Sequence, residues 1–151
     1  RRSSDLHTMA AFNKFNCFVQ DVANALHDMK TGTAQVYKVY LTNALPAATN
    51  TVYNVPADLS AGNGYVVGGT SIGTIAGSQT SGTFRFFGAT NPAWTAAGGS
   101  IGPFQYAVRY NSTAPTRPLI GWWDYGTGLM LTNGNTFTVA LDQINGILTI
   151  T

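Results

Sequence analysis

The sequence predicts a mainly β fold, an antiparallel β-sandwich preceded by a single N-terminal amphipathic helix. Apolar residues recur every three or four positions near the start of the chain, and with period two after Gly32. Gly, Pro and Asn separate the later segments at short intervals, which is typical of antiparallel hairpins rather than of βαβ units. A jelly roll is the favoured topology, and an immunoglobulin-like sandwich is the second choice.

The first element is the helix, which the spacing predicts over residues 9–32. Lys30 gives it a basic last turn and Gly32 a stop signal. It packs either on its own domain or on a neighbouring subunit. Six apolar side chains form its stripe: Phe12, Phe15, Val19, Val22, Leu26 and Met29. The polar residues 1–8 precede Met9, which looks like a natural start, and are interpreted as an upstream extension or an expression remnant.

The remainder, residues 33–151, is predicted to form the sandwich. Short β-branched and aromatic runs predict eight or nine strands there. The runs are 34–42, 64–68, 70–76, 83–89, 104–111, 119–126, 129–132, 135–142 and 146–151. Residues 44–62 and 91–103 are predicted to be long loops. The glycines of 62–69 fit turns better than a phosphate-binding loop, because the Lys and Ser or Thr of that motif are missing.

Composition narrows the possible functions. Only 9% of the 151 residues are charged, against about 25% in ordinary soluble domains, and there is no glutamate. A surface of Thr, Ser, Asn, Gly and Ala indicates that much of it contacts something else. Clustered Lys and Arg are missing, so nucleic acid is not an expected partner, and no apolar run is long enough to predict a membrane span. The single Cys17 excludes a disulfide framework.

Groups for catalysis are scarce. The histidines are His7 and His27, and the six aspartates have no spacing that pairs two of them on one strand. Asp124 has no evident second carboxylate for glycoside hydrolysis. The sequence therefore predicts a protein that is not an enzyme, without catalytic residues, cofactor or metal site.

The most distinctive segment is the run LIGWWDYG at 119–126. In a strand, Trp122 and Asp124 point to one face, and Trp123 and Tyr125 point to the other. One tryptophan is then expected in the core, while the other lies near the surface, where it can stack on a sugar or contact a protein. The favoured interpretation of Asp124 is an ion pair with Arg109 or Arg117.

Several segments together resemble a known family. They include FNKFNCFVQDVANALHDM, KVYLTNALPAATNTV, GGSIGPFQYAVRYNSTAP and NGNTFTVALDQINGILTIT, in this order from about Met9 to the end. The chain is similar to the capsid cement, or decoration, proteins of tailed bacteriophages, in particular of short-tailed phages of the Bordetella type. The resemblance implies a jelly roll that sits as dimers on the outside of an icosahedral capsid, and it implies no catalytic residues.

We therefore expect a non-enzymatic virion protein that is made in the cytoplasm of the host bacterium and binds the major capsid protein on the outer capsid surface. It is expected to form homodimers and to stabilise contacts between capsomers. Its expected contact residues are Phe12, Phe15, Val19, Val22, Leu26, Trp122, Trp123 and Tyr125. Two alternatives stay open: a tail or head-fibre module that binds host glycans through Trp122, Trp123 or Tyr125, and a neck or tail-completion protein.

Overall fold

The computed structural model describes residues 10–151, so the predicted extension over 1–8 and the start at Met9 lie outside the described residues. The described chain is mainly β. It contains one α-helix and ten strands, and a single 3-10 turn at Val55–Ala57 lies between the second and third strands. In chain order the elements are β1 (Phe12–Lys14), α1 (Cys17–Ala23), β2 (Tyr37–Thr42), β3 (Thr70–Ser71), β4 (Ile75–Thr80), β5 (Thr83–Gly88), β6 (Ala93–Thr95), β7 (Ile101–Asn111), β8 (Leu119–Leu131), β9 (Thr136–Thr138) and β10 (Leu148–Ile150).

The strands form three antiparallel sheets. The largest has five strands in the order β1-β8-β7-β2-β3, the next has three in the order β10-β5-β4, and the smallest pairs β6 with β9. Side chains from all three sheets meet in one core, so the predicted antiparallel β-sandwich is confirmed. Its jelly-roll topology stays a prediction. We call this core the inner core; it includes Phe18, Tyr37, Val39, Leu41, Tyr65, Ile75, Phe86, Trp94, Phe104, Ala107, Ile120, Trp123, Phe137 and Val139.

The opposite face of the five-stranded sheet carries a second cluster. We call it the outer cluster; it consists of Phe15, Tyr40, Tyr53, Tyr106, Val108, Tyr110 and Leu119, with Cys17 and Trp122 packed against it. Four of its members are tyrosines, and Tyr53 comes from residues 43–69, the connection between β2 and β3. We call this connection the outer loop. Satellite clusters of this kind commonly form beneath long loops.

The centre of the five-stranded sheet is the hairpin of β7 and β8. Val108 lies opposite Trp122 and Tyr106 lies opposite Asp124, and the register shifts between Phe104 and Tyr106. The two strands predicted at 119–126 and 129–132 are one continuous strand. Gly126 and Gly128, which on propensity alone suggest an interruption, lie in an irregularity between the paired residues Asp124 and Leu129, and β8 continues because pairing with β7 resumes at Leu129.

Two strand predictions and one loop prediction are wrong. The strand predicted at 70–76 is interrupted near Gly73, which has φ +73°, and is divided between β3 and β4.

The run at 64–68 is not a strand but part of a series of turns. Next to it, Gly69 has φ +70° and approaches β2 so closely that a Cβ would overlap the Val39 carbonyl oxygen. Apolar character alone cannot distinguish such a turn from a strand. Conversely, β6 lies inside the loop predicted at 91–103, because Trp94 pairs with Phe137 of β9.

The helix is shorter than the predicted 9–32, since α1 covers only Cys17–Ala23. Phe12 lies instead in β1, where it pairs with Trp123 of β8. After α1, Ala25 takes a left-handed conformation with φ 56°, which ends the helix. Five of the six residues in the 3-4 spacing are therefore buried or half-buried, while Val19 is exposed, and the six span a strand, a short helix and an irregular segment.

Side chains from the sheet fix the irregular segment that follows α1. The Asn111 amide donates to the Leu26 carbonyl at 3.1 Å and to Gln35 Oε1 at 2.8 Å. The Tyr37 hydroxyl donates to the Asp28 carbonyl at 2.8 Å. These bonds satisfy backbone groups that a longer helix would have paired internally, so tertiary contacts outweigh helical periodicity here.

Candidate functional site

The two adjacent tryptophans lie on opposite faces of the five-stranded sheet. Trp123 is buried in the inner core, together with the half-buried Tyr125. Trp122 packs against the outer cluster, with its ring 4.6 Å from that of Phe15. The alternation predicted for this strand is confirmed, and so is the expectation that one tryptophan lies in the core.

Asp124 does not form the expected ion pair. It is exposed, and its Oδ1 accepts hydrogen bonds from Gln105 Nε2 at 3.0 Å and from the Gly126 backbone N–H at 2.7 Å. Among the described residues the one ion pair joins Lys30 to Asp28. Arg109 instead points into the inner core, away from Asp124.

Three of the expected contact residues, Phe12, Trp123 and Tyr125, line a groove of about 600 Å³ together with Ala10, Thr138 and residues 140–147. We call it the aromatic groove. Its volume lies in the range of small-molecule sites, roughly 300 to 1,000 Å³. Burial raises the pKa of Tyr125 to about 12, so its hydroxyl is neutral at physiological pH.

Three polar side chains of the groove, those of Asp142, Gln143 and Asn145, form hydrogen bonds within the protein. Asp142 accepts from the backbone N–H groups of Ile144 and Asn145 and from the Asn145 amide, and these bonds lower its pKa. Gln143 donates to the Gly88 carbonyl at 2.6 Å. Ile144 is 85% exposed at the rim. The groove therefore offers mainly apolar and aromatic surface.

The other expected contact residues differ in exposure. Phe15 is 1% exposed and Trp123 is 6% exposed, so each offers little surface to a partner in this fold. Val22, Leu26 and Trp122 are half-buried, as are Phe12 and Tyr125. Val19 is 59% exposed on α1. A contact role for the half-buried and exposed residues stays a prediction.

The outer loop carries a set of exposed apolar side chains that the sequence analysis did not single out. Leu45 is the most exposed at 75%, and the others are Val52, Val55, Val66 and Val67. Single exposed apolar residues are ordinary, but several on one connection are typical of a contact surface. A signal was present in the sequence, since this loop combines valines with prolines and has almost no charge.

One carboxylate, Asp58, holds the outer loop in place. It accepts hydrogen bonds from the Tyr65 hydroxyl, from the Tyr53 hydroxyl at 2.7 Å and from the Gly68 backbone N–H at 2.6 Å. The Tyr65 hydroxyl in turn accepts from the Leu41 N–H of β2 at 2.9 Å. Burial and the bonds to Asp58 raise the pKa values of both tyrosines. The exposed apolar residues are thus presented on a fixed loop.

Asp58 is the only acidic residue between Asp28 and Asp124 in the sequence. An isolated charge within an uncharged stretch is a signal that could have marked it as structurally important, since buried carboxylates need donors.

A polar group is buried in the inner core. Arg109 has 0% exposure, and its guanidinium carbon lies 4.0 Å from the centre of the Phe86 ring and 5.6 Å from that of Tyr37. Burial lowers the pKa of Arg109 to about 9, so the group is charged at neutral pH. His27 is also buried, and burial together with the charge of Arg109 lowers its pKa to about 4, so its imidazole is neutral.

Cys17 is half-buried beside the outer cluster, where its thiol faces the carbonyls of Asn50, Thr51 and Leu119 at 3.6 to 3.7 Å. Burial and the neighbouring Asp21 raise the pKa of the thiol to about 11. It is therefore a poor nucleophile at neutral pH, because the thiolate is the reactive form.

Within residues 10–151, no group of three or more His, Cys, Asp or Glu side chains is placed to hold a metal ion. No helix in the same part of the chain has the length and apolar character to span a membrane. Comparisons of the sequence with protein-family models and with curated proteins, and of the fold with solved structures, find no match.

Proposed function

We propose that this protein is a non-enzymatic structural component of a tailed-phage virion, which binds the major capsid protein on the outside of the icosahedral shell as a cement protein. The observation that carries the proposal is the outer loop, where exposed apolar side chains are held by the Asp58 network. A fixed apolar surface loses little conformational entropy on binding, which favours association. The sparse charge and the resemblance to capsid cement proteins also support it.

Cement proteins act by adding buried area between capsomers. Each copy contributes modestly, and the contributions of many copies add up over the shell. A weakly charged surface rich in Thr, Asn and Gly suits such contacts, because they form at high local concentration on a scaffold. We also propose that the protein acts as a homodimer, in which the same patch of both subunits is buried.

The first test counts copies in purified particles of the phage that encodes the protein, by quantitative mass spectrometry against the major capsid protein. We expect roughly one copy of this chain for each copy of the capsid protein. A ratio of only a few per hundred contradicts the proposal and favours a neck or tail position.

The second test locates the contact. Leu45→Asp is expected to abolish binding of the purified protein to capsids that lack it, because the charge must be buried without a partner. Ile144→Asp is the matched control, since Ile144 is equally apolar and exposed but lies at the aromatic groove. Equal binding by both variants and the wild type, with unchanged melting temperatures, excludes the outer loop as the contact surface.

The aromatic groove favours a second candidate, a fibre module that binds host glycans. Tyr125 offers a half-buried ring there, and sugars commonly stack on aromatic rings. A glycan array distinguishes the two candidates. Binding that Tyr125→Ala abolishes supports the fibre module, whereas an array without signal leaves the cement function as the proposal.

A further inference from the structure

Three buried side-chain nitrogens of the inner core have no hydrogen-bond partner among residues 10–151. Two are Nε and Nη1 of Arg109, and the third site is Nε2 of His27. Arg109 is fully buried and His27 is 5% exposed, so bulk solvent does not satisfy these atoms. Buried polar groups are nearly always hydrogen-bonded, and each exception calls for an explanation.

The charge of Arg109 is not balanced by a carboxylate of the described chain. The only ion pair in residues 10–151 is Lys30–Asp28, near the surface. The guanidinium lies over the Phe86 ring, and this cation–π contact offsets part of the desolvation cost. This contact leaves the N–H groups of Nε and Nη1 without acceptors among residues 10–151. An uncompensated buried charge is strongly destabilising.

His27 adds a further unpartnered nitrogen to this region. Its imidazole is neutral, so one of the two ring nitrogens carries a proton. Nδ1 lies 3.4 Å from Asn111 Nδ2, whose two hydrogens go to the Leu26 carbonyl and to Gln35 Oε1. With the proton on Nε2, His27 presents one further donor, and this is the tautomer that an anion beside Nε2 requires.

Both residues border the same aromatic ring. The His27 ring centre lies 6.2 Å from that of Tyr37, and the Arg109 guanidinium carbon lies 5.6 Å from it. The region thus combines a positive charge, two unpartnered donors of Arg109 and the unpartnered Nε2 of His27, and no carboxylate of residues 10–151 pairs with that charge. We propose that Arg109 and His27 form a buried site for a small monovalent anion of the halide class, such as chloride. A single-atom anion suits the site because aromatic rings border both residues: those of Phe86 and Tyr37 lie beside Arg109, and those of Phe18 and Tyr37 lie beside His27.

The test is thermal unfolding in chloride and in gluconate at the same ionic strength. Ligands that bind only the folded state raise the melting temperature, so the wild type is expected to melt a few degrees higher in chloride. Arg109→Met should remove this difference, and because a methionine packs without a charge, the variant should still fold. Arg85→Met is the matched control: it removes one arginine from a half-exposed position and should keep the chloride effect.

Crystals of the wild type grown in bromide give a direct readout. We expect an anomalous peak within hydrogen-bonding distance of Arg109 Nε or Nη1 and of His27 Nε2. A wild type that melts at the same temperature in both salts overturns the proposal, as does a chloride effect that persists in Arg109→Met.

A third outcome would show that a carboxylate of the protein itself, rather than a bound anion, balances the charge of Arg109. Asp5 is the acidic residue that lies outside the described residues. If Asp5→Asn lowers the melting temperature in the wild type but not in Arg109→Met, and chloride has no effect, a carboxylate balances Arg109 and the anion site is excluded.

Discussion

The two faces of the five-stranded sheet are packed in different ways. The inner face meets two other sheets, and its side chains are nearly all apolar, with Arg109 and Asn111 as the buried polar exceptions. The outer face is covered by a loop, and its cluster is built from tyrosines. Tyr53 stacks on Tyr110 with ring centres 4.6 Å apart, while the hydroxyl of Tyr53 reaches Asp58 and that of Tyr110 reaches the Gly68 carbonyl.

The difference follows from what covers each face. A sheet satisfies its own backbone groups, so a face between sheets needs only apolar contacts. A loop has unpaired backbone groups that need partners, and tyrosine supplies both a packing ring and a hydroxyl. Substitutions that remove side-chain volume from the inner face should therefore lower the free energy of unfolding most. On the outer face, the larger losses should come from substitutions that remove hydrogen bonds.

The largest expected effect comes from the adjacent tryptophans. Trp123→Ala removes a ring from the inner core and should lower the free energy of unfolding by about 4 kcal/mol, while Trp122→Ala should cost about 2 kcal/mol because that ring is half-buried. Urea denaturation of both variants measures the difference. Equal losses would show that the two faces contribute equally to stability.

In chloride-free buffer, acid should lower the stability of the inner face through His27, whereas an anion bound beside the imidazole would raise its pKa and reduce the effect. Its pKa is about 4 in the folded protein and 6.5 in the unfolded chain, so the unfolded chain binds the proton more readily. The contribution of neutral His27 to the free energy of unfolding is fully present above pH 6.5. It is lost as the pH falls toward 4, and the loss is on the order of 3 kcal/mol.

The comparison with His27→Gln, which cannot titrate, isolates this effect. The carboxylates of Asp28 and Asp142 also have lowered pKa values and lose stabilisation in acid, but they do so in both proteins. Unfolding free energies of the two proteins that fall in parallel from pH 7 to 4 would contradict the role of His27.

The outer face should respond to Asp58→Asn. The amide presents a donor where the carboxylate accepted, so at least one of the three bonds from Tyr53, Tyr65 and Gly68 is lost, at a cost of about 2 kcal/mol. Limited proteolysis should then cut the outer loop faster. Asp124→Asn, at an exposed carboxylate, is the control and should change stability by less than about 0.5 kcal/mol. Similar proteolysis rates for the two variants would show that Asp58 does not fix the loop.

The smallest effect is expected at Ala25, in the segment that follows α1. Its φ of 56° is unfavourable for a residue with a Cβ, so Ala25→Gly should stabilise the protein by about 0.5 to 1 kcal/mol. Thermal unfolding measures the gain. A loss would indicate that the helix continues beyond Ala23, as the 3-4 spacing predicts.

The sequence by itself determined the β-sandwich, the alternation of Trp122 and Trp123, and most strands, because period two and turn residues are local properties of the chain. It also indicated a helix near the start, but over 9–32 rather than over the shorter Cys17–Ala23. It did not determine where that helix ends, since the competing bonds come from Asn111 and Tyr37, far along the chain.

Only the tertiary structure determined which of the few charged side chains are buried and which residues they contact. The sequence pattern favoured an ion pair of Asp124 with Arg109 or Arg117, yet Asp124 is exposed and bonded to Gln105, while Arg109 lies over the Phe86 ring. The carboxylate that holds a loop in place is instead Asp58. A strand pattern gives the face on which a side chain lies, but not which loop or sheet covers that face. The burial of a charge, and therefore its pKa and its partners, depends on that cover.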